Sequence, residues 1–224
     1  MMAAQLLSPG RLELQSLPDP VVPEGGALLE IKACAVCGTD IKIMHQGHRD
    51  LVYPRILGHE MVGRILELDG CNAGLAEGDL VQIWPGIACG TCRPCRRGRD
   101  NLCRDMKIMG FNTHGGFAEL LALPAESLSR GCNLLPANAD CSLLALCEPL
   151  ACCLNGQSHC PVRRDDLVLI LGGGPIGAMH ALLARLRGAE KVMIAESLPE
   201  RIRLLKRNTD AVVFDPADET LQDL

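Results

Sequence analysis

Short alternating runs of apolar and polar residues fill the first half of the chain. From residue 27 to about residue 123 the runs resemble Leu29-Ile31-Ala33, and Gly and Pro residues separate them. Alternation with a period of two residues is typical of strands that bury one face. The pattern therefore predicts a β-rich domain built from irregular strands.

A different period follows between Asn133 and Gln157. Leucines recur there every three to four residues, which is typical of a helix with a buried face, although Pro149 lies among them. These leucines are Leu143, Leu144, Leu146, Leu150 and Leu154. We expect this segment to form a buried helix that bridges two domains.

The last part of the chain alternates strand and helix patterns. Strands are predicted at Leu167–Leu171, Lys191–Ala195 and 211–214, and helices at 176–186 and Pro199–Asn208. Strands that alternate with helices form βαβ units with a parallel sheet. A doubly wound nucleotide-binding domain normally has about six strands. Three strands correspond to the first half of such a domain, so we expect a chain that ends before the domain is complete.

Composition and charge exclude several classes of protein. A chain of 224 residues with 48% hydrophobic residues can form a packed core, and a net charge of -5 gives no general attraction to nucleic acid or anionic lipid. Residues 167–184 carry no charge, but Gly172-Gly173-Gly174-Pro175 would break a membrane-spanning helix. We therefore predict neither a membrane nor a nucleic-acid partner.

The chain has 13 cysteines and no secretory signal at its start. This combination favours a reducing, cytoplasmic location, where clustered cysteines are metal ligands more often than disulfides. Cys89, Cys92, Cys95 and Cys103 follow the spacing C-x2-C-x2-C-x7-C. Four thiolates complete a tetrahedral shell around Zn²⁺, which predicts a structural zinc site.

Two alternatives for this four-cysteine loop stay open. Four cysteines are also the ligands of iron–sulfur clusters, so the spacing alone does not exclude one. Five arginines in and beside the loop could instead contact phosphate, as in a zinc-dependent nucleic-acid binder, or could form a solvated face. These are Arg93, Arg96, Arg97, Arg99 and Arg104.

A second set of candidate ligands is spread along the chain. Cys37 opens the motif Cys-Gly-Thr-Asp, His59 and Glu60 follow Gly58, and Glu148 opens Glu-Pro-Leu. One thiolate, one imidazole and a carboxylate can bind Zn²⁺ and leave a coordination position open for substrate. Each residue alone is weak evidence, because single histidines and cysteines are more often packing residues.

A glycine-rich turn between a predicted strand and helix predicts a dinucleotide site. Its sequence is Gly172-Gly173-Gly174-Pro175-Ile176-Gly177, which satisfies G-x-G-x-x-G. Such glycines let the backbone and the helix amino end approach a pyrophosphate. Glu196 follows the second strand, where a carboxylate binds the adenosine ribose hydroxyls and repels a 2′-phosphate. We therefore expect NAD rather than NADP, with Arg201 as the residue that could oppose this preference.

Taken in order, these motifs resemble those of the zinc-containing medium-chain dehydrogenases. The similarity includes Gly115-Gly116-Phe117-Ala118-Glu119 and covers nearly all 224 residues. Glu148, where liver-type alcohol dehydrogenases have a cysteine, makes the chain more similar to the sorbitol and threonine dehydrogenase branch. The resemblance implies a mixed fold, with a β-rich GroES-like catalytic domain at 1–155 and the first half of an α/β Rossmann domain at 156–224.

The resemblance also implies a function. It suggests hydride transfer between a secondary alcohol or polyol and NAD, with one catalytic and one structural zinc. Cys37, His59 and Glu60 would hold the catalytic zinc, with Glu148 bound directly or through water. Thr39 and Glu60 would be the catalytic residues, and Thr39 would connect the substrate oxygen to the proton-relay path.

Two features set this chain apart from many members of that family. Lys42 occupies the position of a relay histidine in many relatives, and His45 or His48 could replace that function. Relatives form homo-oligomers, whereas a chain that lacks the later strands is not expected to pair in the same way. The alternative function is therefore a catalytically inactive, truncated dehydrogenase fragment stabilised by its structural zinc.

Overall fold

The computed structural model describes residues 1–70 and 74–218. The chain divides into two compact units, Met1–Glu148 and Pro149–Leu224, which we call unit 1 and unit 2. The sequence-based boundary between residues 155 and 156 stays a prediction. Both positions lie in one helix, Cys147–His159.

Unit 1 is mainly built from antiparallel strands. Its strands are β1 (Met2–Ser8), β2 (Arg11–Ser16), β3 (Ala27–Ala35), β4 (Arg55–Ile56), β5 (Glu60–Leu68), β6 (Leu80–Ile83), β7 (Gly86–Ile87), β8 (Lys107–Ile108), β9 (Leu120–Leu123) and β10 (Cys132–Leu134). Its helices are α1 (Gly38–Gln46), α2 (Ala125–Gly131) and α3 (Cys141–Leu144), and α4 (Cys147–His159) begins at its end. The predicted β-rich organisation is confirmed.

The core of unit 1 lies against a five-stranded sheet with the order β10-β6-β5-β3-β9. Alternate residues of β3 point into this core, and Ala27 and Leu29 are fully buried. Strands β2-β1-β4 and β7-β8 form two smaller sheets. The main cluster consists of Ala27, Leu29, Met61, Ile65, Val81, Ile83, Met109, Leu121, Leu123 and Leu128.

The register of β3 and β5 brings distant parts of the sequence together. Ala35, at the end of β3, pairs with Glu60, at the start of β5. Helix α1 begins directly after Cys37, whose backbone N–H donates to the Asp40 carboxylate at 2.9 Å. This capping interaction ends the strand and starts the helix within a few residues. The alternating pattern of the sequence did not predict α1.

The single buried helix expected between Asn133 and Gln157 is wrong. The segment contains strand β10 and the two helices α3 and α4. The Asp140 carboxylate accepts hydrogen bonds from the backbone N–H groups of Ser142 and Leu143 and starts a new helix there. Three of the leucines are also exposed rather than buried: Leu143 at 63%, Leu146 at 37% and Leu154 at 42%.

Unit 2 is a parallel three-stranded sheet with the order β11-β12-β13, flanked by helices. After α4, its elements are β11 (Leu167–Leu171), α5 (Pro175–Leu186), β12 (Lys191–Ala195), α6 (Pro199–Asn208) and β13 (Val212–Phe214). The predicted strand–turn–helix order is confirmed, with bounds that differ by at most one residue. Its core contains Ala181, Ala184, Ala189, Val192, Ile194, Leu205 and Val213.

Within the described residues, no helix combines the length and the apolar character that crossing a membrane requires. The uncharged stretch that includes Leu167–Leu171 is instead a strand, followed by a glycine turn and the amphipathic helix α5.

Candidate functional site

The four-cysteine loop folds into a compact sulfur cluster. Each of Cys89, Cys92, Cys95 and Cys103 offers a sulfur atom, and these atoms all lie within 4.8 Å of one another. The Sγ atoms of Cys92 and Cys95 are 3.4 Å apart. Cys95 and Cys103 are buried, whereas Cys89 and Cys92 are partly exposed. This is the donor set and closed arrangement of a structural zinc site.

Backbone N–H groups point at these sulfur atoms. The N–H of Cys92 donates to Cys89 Sγ at 3.4 Å, and the N–H of Cys89 donates to Cys103 Sγ at 3.3 Å. The backbone N–H bonds of Thr91 and Cys92 lower the pKa of the Cys89 thiol to about 6, whereas burial raises that of Cys95. Hydrogen bonds of this kind stabilise thiolate, which is the form that binds metal.

An ion pair fixes the loop to the rest of unit 1. Arg130, at the end of α2, contacts the Asp100 carboxylate at 2.9 Å. All five arginines noted in the sequence are exposed. None of them belongs to this anchoring pair.

Cys37, His59 and Glu60 form the second cluster. One sulfur, one nitrogen and one carboxylate oxygen from these residues lie within 4.8 Å of one another. His59 is 7% exposed and Glu60 is 5% exposed, so the donor atoms converge in a largely buried place. Three ligands of mixed type leave a tetrahedral zinc ion with one open position, as in catalytic zinc sites.

Close backbone packing orients the His59 segment. Gly116 donates its N–H to the Gly58 carbonyl at 2.9 Å, and Phe117 donates to Leu57 at 3.0 Å. A side chain at Gly115 would overlap the Gly58 carbonyl oxygen. The Gly-Gly-Phe sequence therefore fixes the position of the backbone just before β5, where His59 lies. This close backbone packing explains why the motif contains glycines.

Asp40 lies beside His59, a contact that the sequence did not reveal. Its carboxylate is 3% exposed, and one oxygen lies 3.4 Å from His59 Nδ1. Burial lowers the pKa of His59, but Asp40 and Cys37 outweigh it and raise this pKa to about 9. A carboxylate beside the second ring nitrogen of a metal-binding histidine fixes the ring and strengthens the ligand. The sequence signal that could have revealed this contact is an Asp three residues after Cys37, the position at which its carboxylate also caps α1.

The glycine turn lies between β11 and α5 in unit 2. A side chain at Gly177 would overlap the Gly172 carbonyl oxygen, so this close contact of turn and helix requires glycine. Gly174 precedes α5 and offers no side chain to the first N–H groups of the helix, and Pro175 occupies its first turn. The helix amino end is therefore open to an anion such as a pyrophosphate.

Comparisons with known proteins agree with this geometry. Residues 23–133 match the alcohol dehydrogenase GroES-like domain. The chain is 36% identical over 206 residues to D-altritol 5-dehydrogenase of Agrobacterium fabrum, with 90% of this chain and 60% of the relative covered. L-threonine 3-dehydrogenase of Alteromonas mediterranea is 34% identical over 214 residues, with coverages of 94% and 61%. The chain belongs to the zinc-containing medium-chain dehydrogenase family.

A solved structure supports the same assignment for both units. A Sinorhizobium meliloti protein bound to NADP superposes with a TM-score of 0.89 at 33% identity, covering 98% of this chain and 63% of that one. The mixed fold, a GroES-like domain followed by part of a Rossmann domain, is therefore confirmed. The chain spans about 60% of the length of the curated relatives it matches.

The other residues that the family resemblance singled out are not part of the group formed by Cys37, His59 and Glu60. Glu148 lies in the first turn of α4 and is half-buried, and its carboxylate is outside the 4.8 Å group of the other three ligands. Thr39 is exposed in the first turn of α1, two residues from Cys37. Lys42 and His45 are exposed on the same helix. The ligand role of Glu148 and the relay role of Thr39 stay predictions.

His48 and His59 both contact the ring of Phe111, and the relay role of His48 stays a prediction. The His48 ring meets the edge of Phe111 at a centroid distance of 5.7 Å, and Phe111 lies 5.4 Å from the His59 ring. His48 Nδ1 accepts the backbone N–H of Asp50 at 3.2 Å.

Proposed function

We propose that this chain is the zinc-binding and dinucleotide-binding part of an NAD-dependent dehydrogenase acting on a secondary alcohol or polyol. The observation that carries the proposal is the convergence of Cys37, His59 and Glu60 within 4.8 Å. Family membership supports it, since the relatives include D-altritol 5-dehydrogenase and L-threonine 3-dehydrogenase. Each of these relatives is named for a small hydroxylated substrate.

The residues present fit both zinc ions and the dinucleotide. Four thiols with inward-pointing N–H groups suit a structural zinc, and the mixed donors at Cys37, His59 and Glu60 suit a catalytic one. The S. meliloti protein with bound NADP shares the fold of this chain. Gly172, Gly174, Pro175, Ile176 and Gly177 would contact the pyrophosphate, and Glu196 and Arg201 would lie at the adenosine ribose.

Different side chains would have different roles in the reaction. When bound, zinc supplies a Lewis acid for the substrate oxygen, and the dinucleotide supplies the hydride acceptor. Asp40 lies 3.4 Å from Nδ1 of His59 and would steady the ring, which would leave Nε2 as the nitrogen available to zinc. The exposed Thr39 hydroxyl would receive the alcohol proton and pass it on toward solvent.

We also propose a cytoplasmic location for the protein. The 12 cysteines that the structure describes are free thiols, and a reducing compartment preserves such thiols. The expectation that this chain does not pair as its homo-oligomeric relatives do stays a prediction. A small alcohol or polyol is the proposed partner, and we propose no nucleic-acid partner, since a net charge of -5 gives no general attraction to one.

The decisive test compares Cys37→Ser with the unchanged chain. Zinc-loaded protein is mixed with NAD and a panel of small secondary alcohols and polyols, and NADH formation is followed by absorbance. We expect turnover by the unchanged chain and loss of turnover in the variant, while NADH binding measured by fluorescence is retained. Cys160→Ser, at an exposed thiol of unit 2, is the matched control and should retain both.

The outcomes separate the main proposal from its alternative. Turnover that persists in Cys37→Ser would contradict the zinc mechanism. A folded, zinc-loaded chain that neither turns over substrate nor binds NADH would favour the inactive fragment. Loss of turnover with retained binding supports the proposed function.

A further inference from the structure

A strongly basic loop lies on the surface of a chain whose net charge is -5. Residues 93–104, which we call the basic loop, contain five arginines and one aspartate, and the aspartate already pairs with Arg130. All five arginines are exposed, and none of the ion pairs found among the described residues includes them. They are Arg93, Arg96, Arg97, Arg99 and Arg104. Uncompensated charge of one sign attracts a partner of the opposite sign.

The basic loop also exposes an apolar side chain. Leu102 is 56% exposed, although it lies next to the buried Cys103 of the sulfur cluster. The four sulfur atoms of that cluster lie within 4.8 Å of one another, which constrains the backbone that carries Leu102 and the arginines. Protein interfaces are enriched in arginine and combine a buried apolar centre with a polar rim. The basic loop therefore has the composition of a protein-binding surface.

Nucleic acid suits this loop less well than a protein does. Its helical turns, Cys95–Arg97 and Asp100–Leu102, have three residues each, whereas a helix that reads the major groove is longer. An exposed leucine gains nothing from phosphate contacts, and a net charge of -5 opposes the approach to a polyanion. A protein surface that carries carboxylates and an apolar residue matches both features of the basic loop.

Unit 1 itself carries such a surface, near the end of β5 and the start of β6. We call it the acidic turn, and its four exposed carboxylates are Glu24, Glu67, Asp69 and Glu77. The Gly25 N–H donates to the Asp69 carboxylate at 2.7 Å, and the Gly78 N–H donates to the Ile65 carbonyl at 2.8 Å, so these segments lie together. Residues 65–80 contain no lysine or arginine. Leu66, beside Glu67, is 43% exposed.

The basic loop and the acidic turn are complementary. Each combines several charges of one sign with one exposed leucine, Leu102 in the basic loop and Leu66 in the acidic turn. No ion pair of the described residues joins the two surfaces within one chain, so both are available to a second molecule. Complementary charge fixes which surfaces meet and increases the rate of encounter. A second copy of this chain offers the required partner for each surface.

We propose that the basic loop of one copy binds the acidic turn of a second copy, with arginines facing carboxylates and Leu102 packed near Leu66. The two surfaces differ, so the contact is head-to-tail rather than symmetric, and each bound copy keeps one surface free for a further copy. Association therefore extends beyond the dimer as the concentration rises. This interaction goes beyond the proposed function and requires neither the substrate nor the dinucleotide.

The test measures the mass of the full, zinc-loaded chain by analytical ultracentrifugation over a range of protein concentrations. Salt is set to about 0.01 M and then to about 1 M, where charges are screened beyond roughly 30 Å and 3 Å. At low salt we expect an average mass that rises with concentration above the 24.0 kDa of one chain. At high salt the mass should return to that of one chain.

Charge-reversal variants identify the two surfaces. One variant reverses the basic loop, one reverses the acidic turn, and a matched control reverses two exposed arginines of α6 in unit 2. Circular dichroism confirms that each variant is folded. The three double variants are Arg96→Glu with Arg97→Glu, Glu67→Lys with Glu77→Lys, and Arg203→Glu with Arg207→Glu.

Each of the first two variants should associate with itself at least about tenfold more weakly than the unchanged chain, because like charges then face each other. An equal mixture of the two should associate again, since each supplies the unchanged surface that the other lacks. The control variant should behave like the unchanged chain. Recovery in the mixture is the decisive result, because a variant that had merely lost its fold would not recover.

Several results would overturn the inference. An unchanged chain that stays monomeric at low salt has no such contact, and association that persists at high salt or in both variants uses another surface. A mixture that stays monomeric while the unchanged chain associates would show that the two surfaces do not meet. A monomeric chain that binds a short duplex DNA with strong salt dependence would assign the basic loop to nucleic acid instead.

Discussion

Unit 1 and unit 2 build their candidate sites in opposite ways. In unit 1 the ligands Cys37 and His59 lie 22 positions apart and meet only because Ala35 pairs with Glu60 in the β3–β5 register. In unit 2 the glycine turn, its strand and its helix follow one another directly. A site assembled by long-range pairing depends on the whole sheet, whereas the nucleotide turn depends mainly on its neighbours in sequence.

The two units also differ in how their sheets are covered. The central sheet of unit 1 contributes the largest buried cluster of the described residues, while β11 of unit 2 has exposed positions that alternate with half-buried ones. Leu167 is 65% exposed, Leu169 is 40% exposed and Leu171 is 79% exposed, so one side of this strand is open to solvent. Parallel sheets normally have both faces covered. The stability of unit 2 therefore rests on the other face, against α5 and α6.

The largest expected effect comes from breaking the four-cysteine cluster. Cys95→Ser should lower the melting temperature of the zinc-loaded chain on the order of 10 °C, because a structural zinc contributes directly to folding. Cys160→Ser is the matched control and should melt like the unchanged chain. Differential scanning calorimetry measures both. Equal melting of Cys95→Ser and the unchanged chain would show that the cluster does not hold unit 1 together.

The next effect should be confined to unit 2. Gly177→Ala places a methyl group against the Gly172 carbonyl, which should destabilise unit 2 by about 3 kcal/mol through overpacking. Gly174→Ala meets only Arg201 at 3.8 Å and should cost less than about 1 kcal/mol. Hydrogen exchange resolved along the sequence measures both units in one experiment. Faster exchange in unit 1 of Gly177→Ala would contradict the local character of the turn.

Glu196→Gln should produce a smaller change that depends on pH. Because the pKa of Glu196 is lowered on folding, the ionised carboxylate stabilises the folded chain above the ordinary carboxyl pKa. This stabilisation is lost as the pH falls through the lowered value. The variant should therefore melt about 4 °C below the unchanged chain near neutral pH, with a difference that shrinks in acid. A difference independent of pH would contradict this account.

The smallest effect is expected on the open face of β11. Leu171→Gln should change the free energy of unfolding by less than about 0.5 kcal/mol, because the side chain is already in solvent. Ile194→Ala, on the buried face of β12, should cost about 3 kcal/mol. Urea unfolding followed by circular dichroism compares them. A large loss in Leu171→Gln would mean that this face is covered in solution.

The same contrast explains how far the sequence alone could predict the structure. The strands Leu167–Leu171 and Lys191–Ala195 were predicted residue by residue, because an apolar run bounded by glycine or charge carries its own limits. The leucine period between Asn133 and Gln157 misled because Asp140 starts a new helix within it. The spacing of apolar residues does not show where a helix begins, so the capping residue must be considered as well.

Site prediction followed the same division. The cysteine spacing and the glycine turn are local signals, and both point to residues that the structure brings together. The contact of Asp40 with His59 is not local, since it requires α1 to start where β3 ends. The engagement of Glu196 by three backbone N–H groups was also not predictable, because it depends on how α6 begins.

The measurement that tests the central claim most directly is the zinc content of purified chains by elemental analysis. The account predicts two zinc ions per chain, one for each donor group, and one in Cys37→Ser with the sulfur cluster still loaded. Cobalt substitution would identify the remaining ion by its four-thiolate absorption. A single zinc in the unchanged chain, or two retained in Cys37→Ser, would contradict the claim that Cys37, His59 and Glu60 form a metal site of their own.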